Sequence, residues 1–80
     1  MNDAEIVKRI DHLVELERQL EHQHADGGLA PADREQLEAV EVQLDQCWDL
    51  LRQRRARRHA GQDPDGAVVR PSSVVEHYQQ

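Results

Sequence analysis

Five arginines fall within seven residues, at Arg52, Arg54, Arg55, Arg57 and Arg58, and no acidic residue interrupts positions 52–60. A guanidinium presents a rigid fork of donors that matches phosphate or carboxylate, so such a block suits either a nucleic-acid backbone or an acidic protein surface. On a helix these positions wrap most of the circumference. Arg54 and Arg58 share one face, and Arg55 and Arg58 another. The block is also placed to complement the negative end of a helix dipole while pairing with Asp3, Glu5, Asp63 and Asp65. Charge distribution favours that second role. The net charge of −6 divides into −9 over residues 1–51, +5 over 52–60 and −2 over 61–80. Nucleic-acid modules are basic overall, and those that bind single strands carry aromatic residues. This chain is acidic, with one Trp, one Tyr and no Phe.

The remaining reactive types form no recognisable centre. The histidines are His12, His22, His24, His59 and His77; His22 and His24 are two apart, whereas a helix places metal ligands on one face at a spacing of three or four. The single cysteine, Cys47, falls among apolar positions, where a thiol acts as a small hydrophobe, not as a nucleophile. Carboxylates are numerous, but no two share an apolar pocket of the kind acid–base catalysis needs. Phosphate-loop and nucleophile-elbow motifs are absent. The chain is therefore expected to be no enzyme and to use no cofactor or metal. Trp48 is its one large aromatic, and tryptophan serves equally as a binding hot spot and as a core anchor.

Two helices must position these residues. The first is expected over about 3–25, from an N-cap at Asn2 with Glu5 three residues on. Ile6, Ile10, Leu13, Glu17 and Leu20 step by four and three along it, a heptad seam with one polar member. Glu17 either sets the register or reaches out to Arg18 or Arg34. The second helix is expected over about 32–60, with Leu37, Val40, Leu44, Cys47 and Leu51 as its seam. Between them, Asp26-Gly27-Gly28 breaks the chain and Pro31 suits the first turn of the second helix, although Ala30 is a poor cap. Gly61 and Asp63-Pro64 end the second helix.

So short a break folds the helices back as antiparallel neighbours. If Leu20 faces Leu37, paired residue numbers sum to 57. Leu13 then meets Leu44, Ile10 meets Cys47, Ile6 meets Leu51, and Glu17 alone disturbs an apolar row. The same rule sets Asp3 opposite Arg54, an expected ion pair that exposure to water would keep weak. Residues beyond Arg55 overhang. The chain divides into a hairpin over 1–61 and a C-terminal segment over 62–80, in which Ser73-Val74-Val75-Glu76 has the form of a capping box and a helical turn is expected over about 73–78, packed near the open end.

A chain of 80 residues buries only roughly 60% of its unfolded surface, and its one cysteine allows no internal disulfide. The apolar stripe is wider than one partner helix needs. Val7, Val14 and Leu16 flank the first seam, while Trp48 and Leu50 lie on opposite flanks of the second. The C-terminal segment, a second copy in a helical bundle, or another protein would cover the excess, and a homodimer is the simplest solution. No run of apolar residues approaches the ~20 needed to span a bilayer. The acidic start is unlike a signal peptide, and scarce cysteine fits a reducing cytoplasm.

The stretch Leu44-Asp45-Gln46-Cys47-Trp48-Asp49-Leu50-Leu51-Arg52-Gln53-Arg54-Arg55-Ala56-Arg57-Arg58, with Gly61-Gln62-Asp63-Pro64 and Arg70-Pro71 after it and Asn2-Asp3-Ala4-Glu5-Ile6 at the start, resembles an uncharacterised family of short actinobacterial proteins, a domain of unknown function. The resemblance covers nearly the whole chain and implies a stand-alone cytosolic protein; it transfers no activity, cofactor or partner. Residues and resemblance together predict an all-α antiparallel two-helix hairpin with a short C-terminal helical segment, expected to dimerise into a helical bundle. The function expected is a protein–protein interaction module, an adaptor or regulator, acting through Trp48, Arg52, Arg54, Arg55, Arg57 and Arg58. The alternative is an accessory factor touching nucleic acid through Arg52–Arg58.

Overall fold

The computed structural model describes residues 1–23, 28 and 30–75, and over these the chain is helical without a strand. Helix α1 spans Asp3–Gln23 and helix α2 spans Pro31–His59; a 3-10 turn at Pro64–Gly66 and a four-residue helix α3 at Ser72–Val75 follow. The architecture is the all-α hairpin that the two heptad rows predict. Residues 24 and 25 of the expected first helix and 76–78 of the expected last turn lie outside the described residues. The C-terminal turn starts at Ser72, one residue earlier than expected. Its first bonds run from the Val74 and Val75 amides to the Pro71 carbonyl, so Ser73 stands inside the turn and not at its cap.

The ends of the long helices follow from local chemistry. Asn2 and Glu5 form a reciprocal capping box: the Glu5 amide donates to Asn2 Oδ1 at 2.8 Å and the Asn2 amide donates to Glu5 Oε1 at 2.9 Å. Helix α2 begins on extended Ala30 with no side-chain cap, and Pro31 supplies the preset φ of its first turn. At its far end Gly61 takes φ 73°, and the Gln62 amide reaches back to the Arg57 carbonyl at 2.8 Å while the Gly61 amide reaches Arg58 at 3.2 Å. That pair of bonds is a Schellman motif, and the left-handed residue at its centre is the reason for glycine there.

The seam, joined by Leu50 from its flank, forms the core. Ile6, Ile10, Leu13 and Leu20 of α1 are buried with Val40, Leu44 and Leu50 of α2, and Leu37, Cys47 and Leu51 pack partly buried against them. Asp3 bonds Arg54, as a residue sum of 57 requires. The environment of that pair differs from expectation. Arg54 is only 6% exposed, because the chain after α2 turns back and covers it. Residues beyond Arg55 do not merely overhang: Arg58 also reaches Asp3, at 2.7 Å. Arg18 turns to Glu15 at 3.4 Å and not to Glu17, which stays half-buried on the seam.

Past Gly61 the chain runs back antiparallel along α2. The Pro64 carbonyl lies beside Arg54, Val68 beside Gln53, and Arg70 beside Asp49 and Gln46. Ala67 joins the core cluster, and Val75 at the end is fully buried. The C-terminal segment thus packs on the hairpin from its open end inward.

Candidate functional site

Helix α2 carries three faces. The seam holds α1. A second row, Gln46, Asp49, Gln53 and Arg57, steps by three, four and four and holds the returning C-terminal segment. Asp49 is 0% exposed and receives both arms of Arg70, with Arg70 Nε at 2.9 Å, and the Gln53 amide at 2.9 Å. Gln53 also donates to the Val68 carbonyl at 2.6 Å and accepts from the Val68 amide at 3.3 Å, so its side chain satisfies the extended backbone as a neighbouring strand would. Gln46 donates to the Arg70 carbonyl at 3.2 Å. The Arg57 guanidinium lies where a side chain on Gly66 would project; a Cβ there would stand 2.5 Å from Nη1.

The arginine block is thereby divided. Arg54 bonds Asp3, Asp65 at 3.0 Å and the Pro64 carbonyl at 3.2 Å. Arg58 bonds Asp3, and Arg57 covers Gly66. Arg54 is consequently inside the protein, and the interaction surface expected from sequence loses it. Arg52 and Arg55 remain on the third face together with Trp48, which is 40% exposed. These three and Leu51 line a shallow surface groove of about 360 Å³.

The flanks of the hairpin differ accordingly. Residues one before a seam position, such as Arg9 and Gln43, lie on one flank, where they bond each other at 3.0 Å. Leu50 belongs to that flank, and Val69 of the C-terminal segment shares a cavity of about 170 Å³ with Leu50, Arg9 and Gln43. Residues one after Ile6, Leu13 and Cys47 lie on the other flank. They are Val7, Val14 and Trp48, and all three are exposed. The C-terminal segment therefore covers the Leu50 flank and leaves the Trp48 flank open.

Two carboxylates carry displaced protonation, in opposite senses. Hydrogen bonds from Arg58 and then Arg54 lower Asp3 from 3.8 to about 2. Burial, reinforced by Glu21 and Glu41, raises Glu17. A carboxylate lowered on folding contributes stability that is complete above its unfolded value and is lost as pH falls through the folded one. A raised carboxylate penalises folding above its folded value, and the penalty disappears as pH falls below the unfolded one. Urea midpoints should therefore fall as pH is lowered from about 4 toward 2, a limb that Asp3→Asn removes, and should decline modestly as pH rises above the ordinary range of Glu17, a slope that Glu17→Gln removes. Because Asp3 is partly exposed, added salt should flatten the first limb.

Burial also raises the Cys47 thiol, with Arg9 opposing, which keeps it a packing residue on the seam. His12, His22 and His59 are exposed; His24 and His77 lie outside the described residues. Among the described residues no three His, Cys, Asp or Glu side chains gather to hold a metal ion. Nor is any described helix long and apolar enough to cross a membrane.

The Asp3–Arg54 contact was legible in the sequence, whereas Gln46, Asp49, Gln53 and Arg70 were missed. Their one signal was a polar row at helical spacing away from the seam, which looks the same as a solvated face. Comparison with known proteins gives a family without adding an activity. Residues 2–80 match the model of a family described as protein of unknown function (DUF2630). Uncharacterized proteins of Mycobacterium tuberculosis and Mycobacterium bovis are 49% identical over 77 residues, covering 95% of this chain and 88% of each relative. No solved structure matches the chain. With a family model spanning almost its whole length and mycobacterial relatives at that identity, the chain belongs to the DUF2630 family of proteins of unknown function.

Proposed function

We propose that this protein is a small cytoplasmic protein–protein interaction module, an adaptor or regulator without catalytic activity, that grips its partner with the Trp48 flank of the hairpin. One observation carries the reading. The C-terminal segment covers one flank of the seam and leaves the other with Trp48 40% exposed among Leu51, Arg52 and Arg55. A small domain gains stability by burying such a residue, and an aromatic bordered by arginines in a shallow groove has the composition of a binding hot spot. The arginine tip supports phosphate binding less well, since Arg54 and Arg58 engage Asp3 and Asp65 within the chain.

The test is affinity purification from the protein's own cytoplasm at moderate salt, with nuclease, comparing the wild type with Trp48→Ser. The expected result is a stoichiometric protein companion that survives nuclease and is lost in the variant, whose circular dichroism remains helical. A companion lost on nuclease treatment, or retained by Trp48→Ser, overturns the reading.

A further inference from the structure

The open face of α2 has a charge order that complements itself. Glu41 and Asp45 precede Trp48 on this face, and Arg52 and Arg55 follow it. The acidic half borders a shallow groove of about 470 Å³ lined by Glu38, Glu41, Val42 and Asp45, and the basic half borders the Trp48 groove. A parallel second helix would set acid against acid and base against base. An antiparallel one, turned by a two-fold axis through Trp48, sets Glu41 opposite the copy's Arg55 and Asp45 opposite its Arg52. Glu41 and Arg55 share the register of the two Trp48 residues, with residue numbers summing to 96, and Asp45 and Arg52 fall one residue from it, at 97.

We propose that this face pairs with a second copy of the chain, antiparallel and isologous, with the two Trp48 rings meeting at the two-fold axis. The proposal rests on the reading of the Trp48 flank as a protein-binding surface and names its partner. A closed two-fold interface uses the same patch twice, so it needs a pattern that matches its own reversal, and this patch has one. Glu41 and Arg55 are fourteen residues apart, about 21 Å of helix, which gives the contact enough length to fix its direction. Asp45 and Arg52 already interact within the chain, so the register rests on Glu41 and Arg55, with the other two adding to the field. By the hairpin register Val7 lies level with Leu50, and hence beside Trp48. The copy's tryptophan would therefore cover an exposed valine as well as stack on its equivalent. The C-terminal segment occupies the opposite side of α2 and does not obstruct this approach.

Sedimentation velocity over a micromolar-to-millimolar series tests the proposal, with Trp48 as a built-in probe because it is the chain's sole tryptophan. The wild type should dimerise, and its emission should shift to the blue as it does. Glu41→Arg and Arg55→Glu should each weaken dimerisation about tenfold or more, because each sets like charges face to face. An equimolar mixture of the two variants should recover a dimer, since each then offers the charge the other lacks. Circular dichroism confirms that the variants stay helical. A wild type monomeric throughout, single variants that dimerise as the wild type does, or a mixture no better than its components overturns the proposal. If the wild type is monomeric while Trp48→Ser still loses a nuclease-resistant companion, self-pairing is refuted and the interaction-module reading stands. Dimerisation governed by Glu41 and Arg55 upholds self-pairing whether or not another protein binds.

Discussion

Arg70→Ala should lower stability by about 3 kcal/mol, measured as a shift of the urea midpoint by circular dichroism. The variant deprives Asp49, which has no exposed surface, of the guanidinium that bonds both its oxygens. Removing one member of a buried ion pair generally costs about 3–5 kcal/mol, because the other charge keeps its desolvation penalty. The lower end applies here for a structural reason. The C-terminal segment can detach and let water reach Asp49, so the loss cannot exceed the free energy of docking that segment. Detachment gives a second readout: the chain after Gly61 should become a proteolysis site in the variant. Replacing both partners, Asp49→Leu with Arg70→Met, should recover most of the loss, since an apolar pair of similar volume removes the charge penalty from both sides.

Ile6→Ala should cost about 3–4 kcal/mol, an effect at least as large. Ile6 is fully buried where α1, α2 and the returning segment meet, and it borders the cavity shared by Leu50, Cys47 and Val69. Its removal leaves a space between two helices and the returning segment, into which neighbouring side chains can collapse only in part. A shift this large should lower the melting temperature by well over ten degrees, at about 4–8 °C per kcal/mol for a domain of this size. Val7→Ala, one residue along on the open flank, should change stability little in the monomer, and the contrast separates the seam from the exposed face.

The hairpin was legible because its signals are local and periodic. Ile6 through Leu20 and Leu37 through Leu51 repeat in heptads, Asn2 and Glu5 are spaced to cap each other, and Gly61 stands where a left-handed residue must. The register followed from matching two apolar rows, and it correctly paired Asp3 with Arg54. Burial of that pair was not legible, because it depends on Asp65 and Pro64, which arrive from a segment with no periodicity. Asp49 was hidden for the same reason. It stands off the seam in the acidic first part of α2, after Asp33, Glu35, Glu38, Glu41 and Asp45, and the contact with Arg70, twenty-one residues later, distinguishes it from a solvated carboxylate. Of the candidate site, Trp48 and Arg55 were identified by residue type and helical position. The flank that the C-terminal segment would take was left open, and that choice is made by Gln46 and Gln53, whose amides fit an extended backbone.

If the Trp48 flank of α2 meets other protein while the opposite flank serves the fold, the two flanks should differ in what they touch inside the cell. A photo-crosslinking residue placed in cells at position 55, on the open flank, and separately at position 68, on the outer surface of the docked segment, tests this most directly. Discrete protein adducts at position 55, a second copy of the chain included, with none at position 68, are the predicted result. Adducts to nucleic acid at position 55, or protein adducts at position 68 alone, would contradict the account.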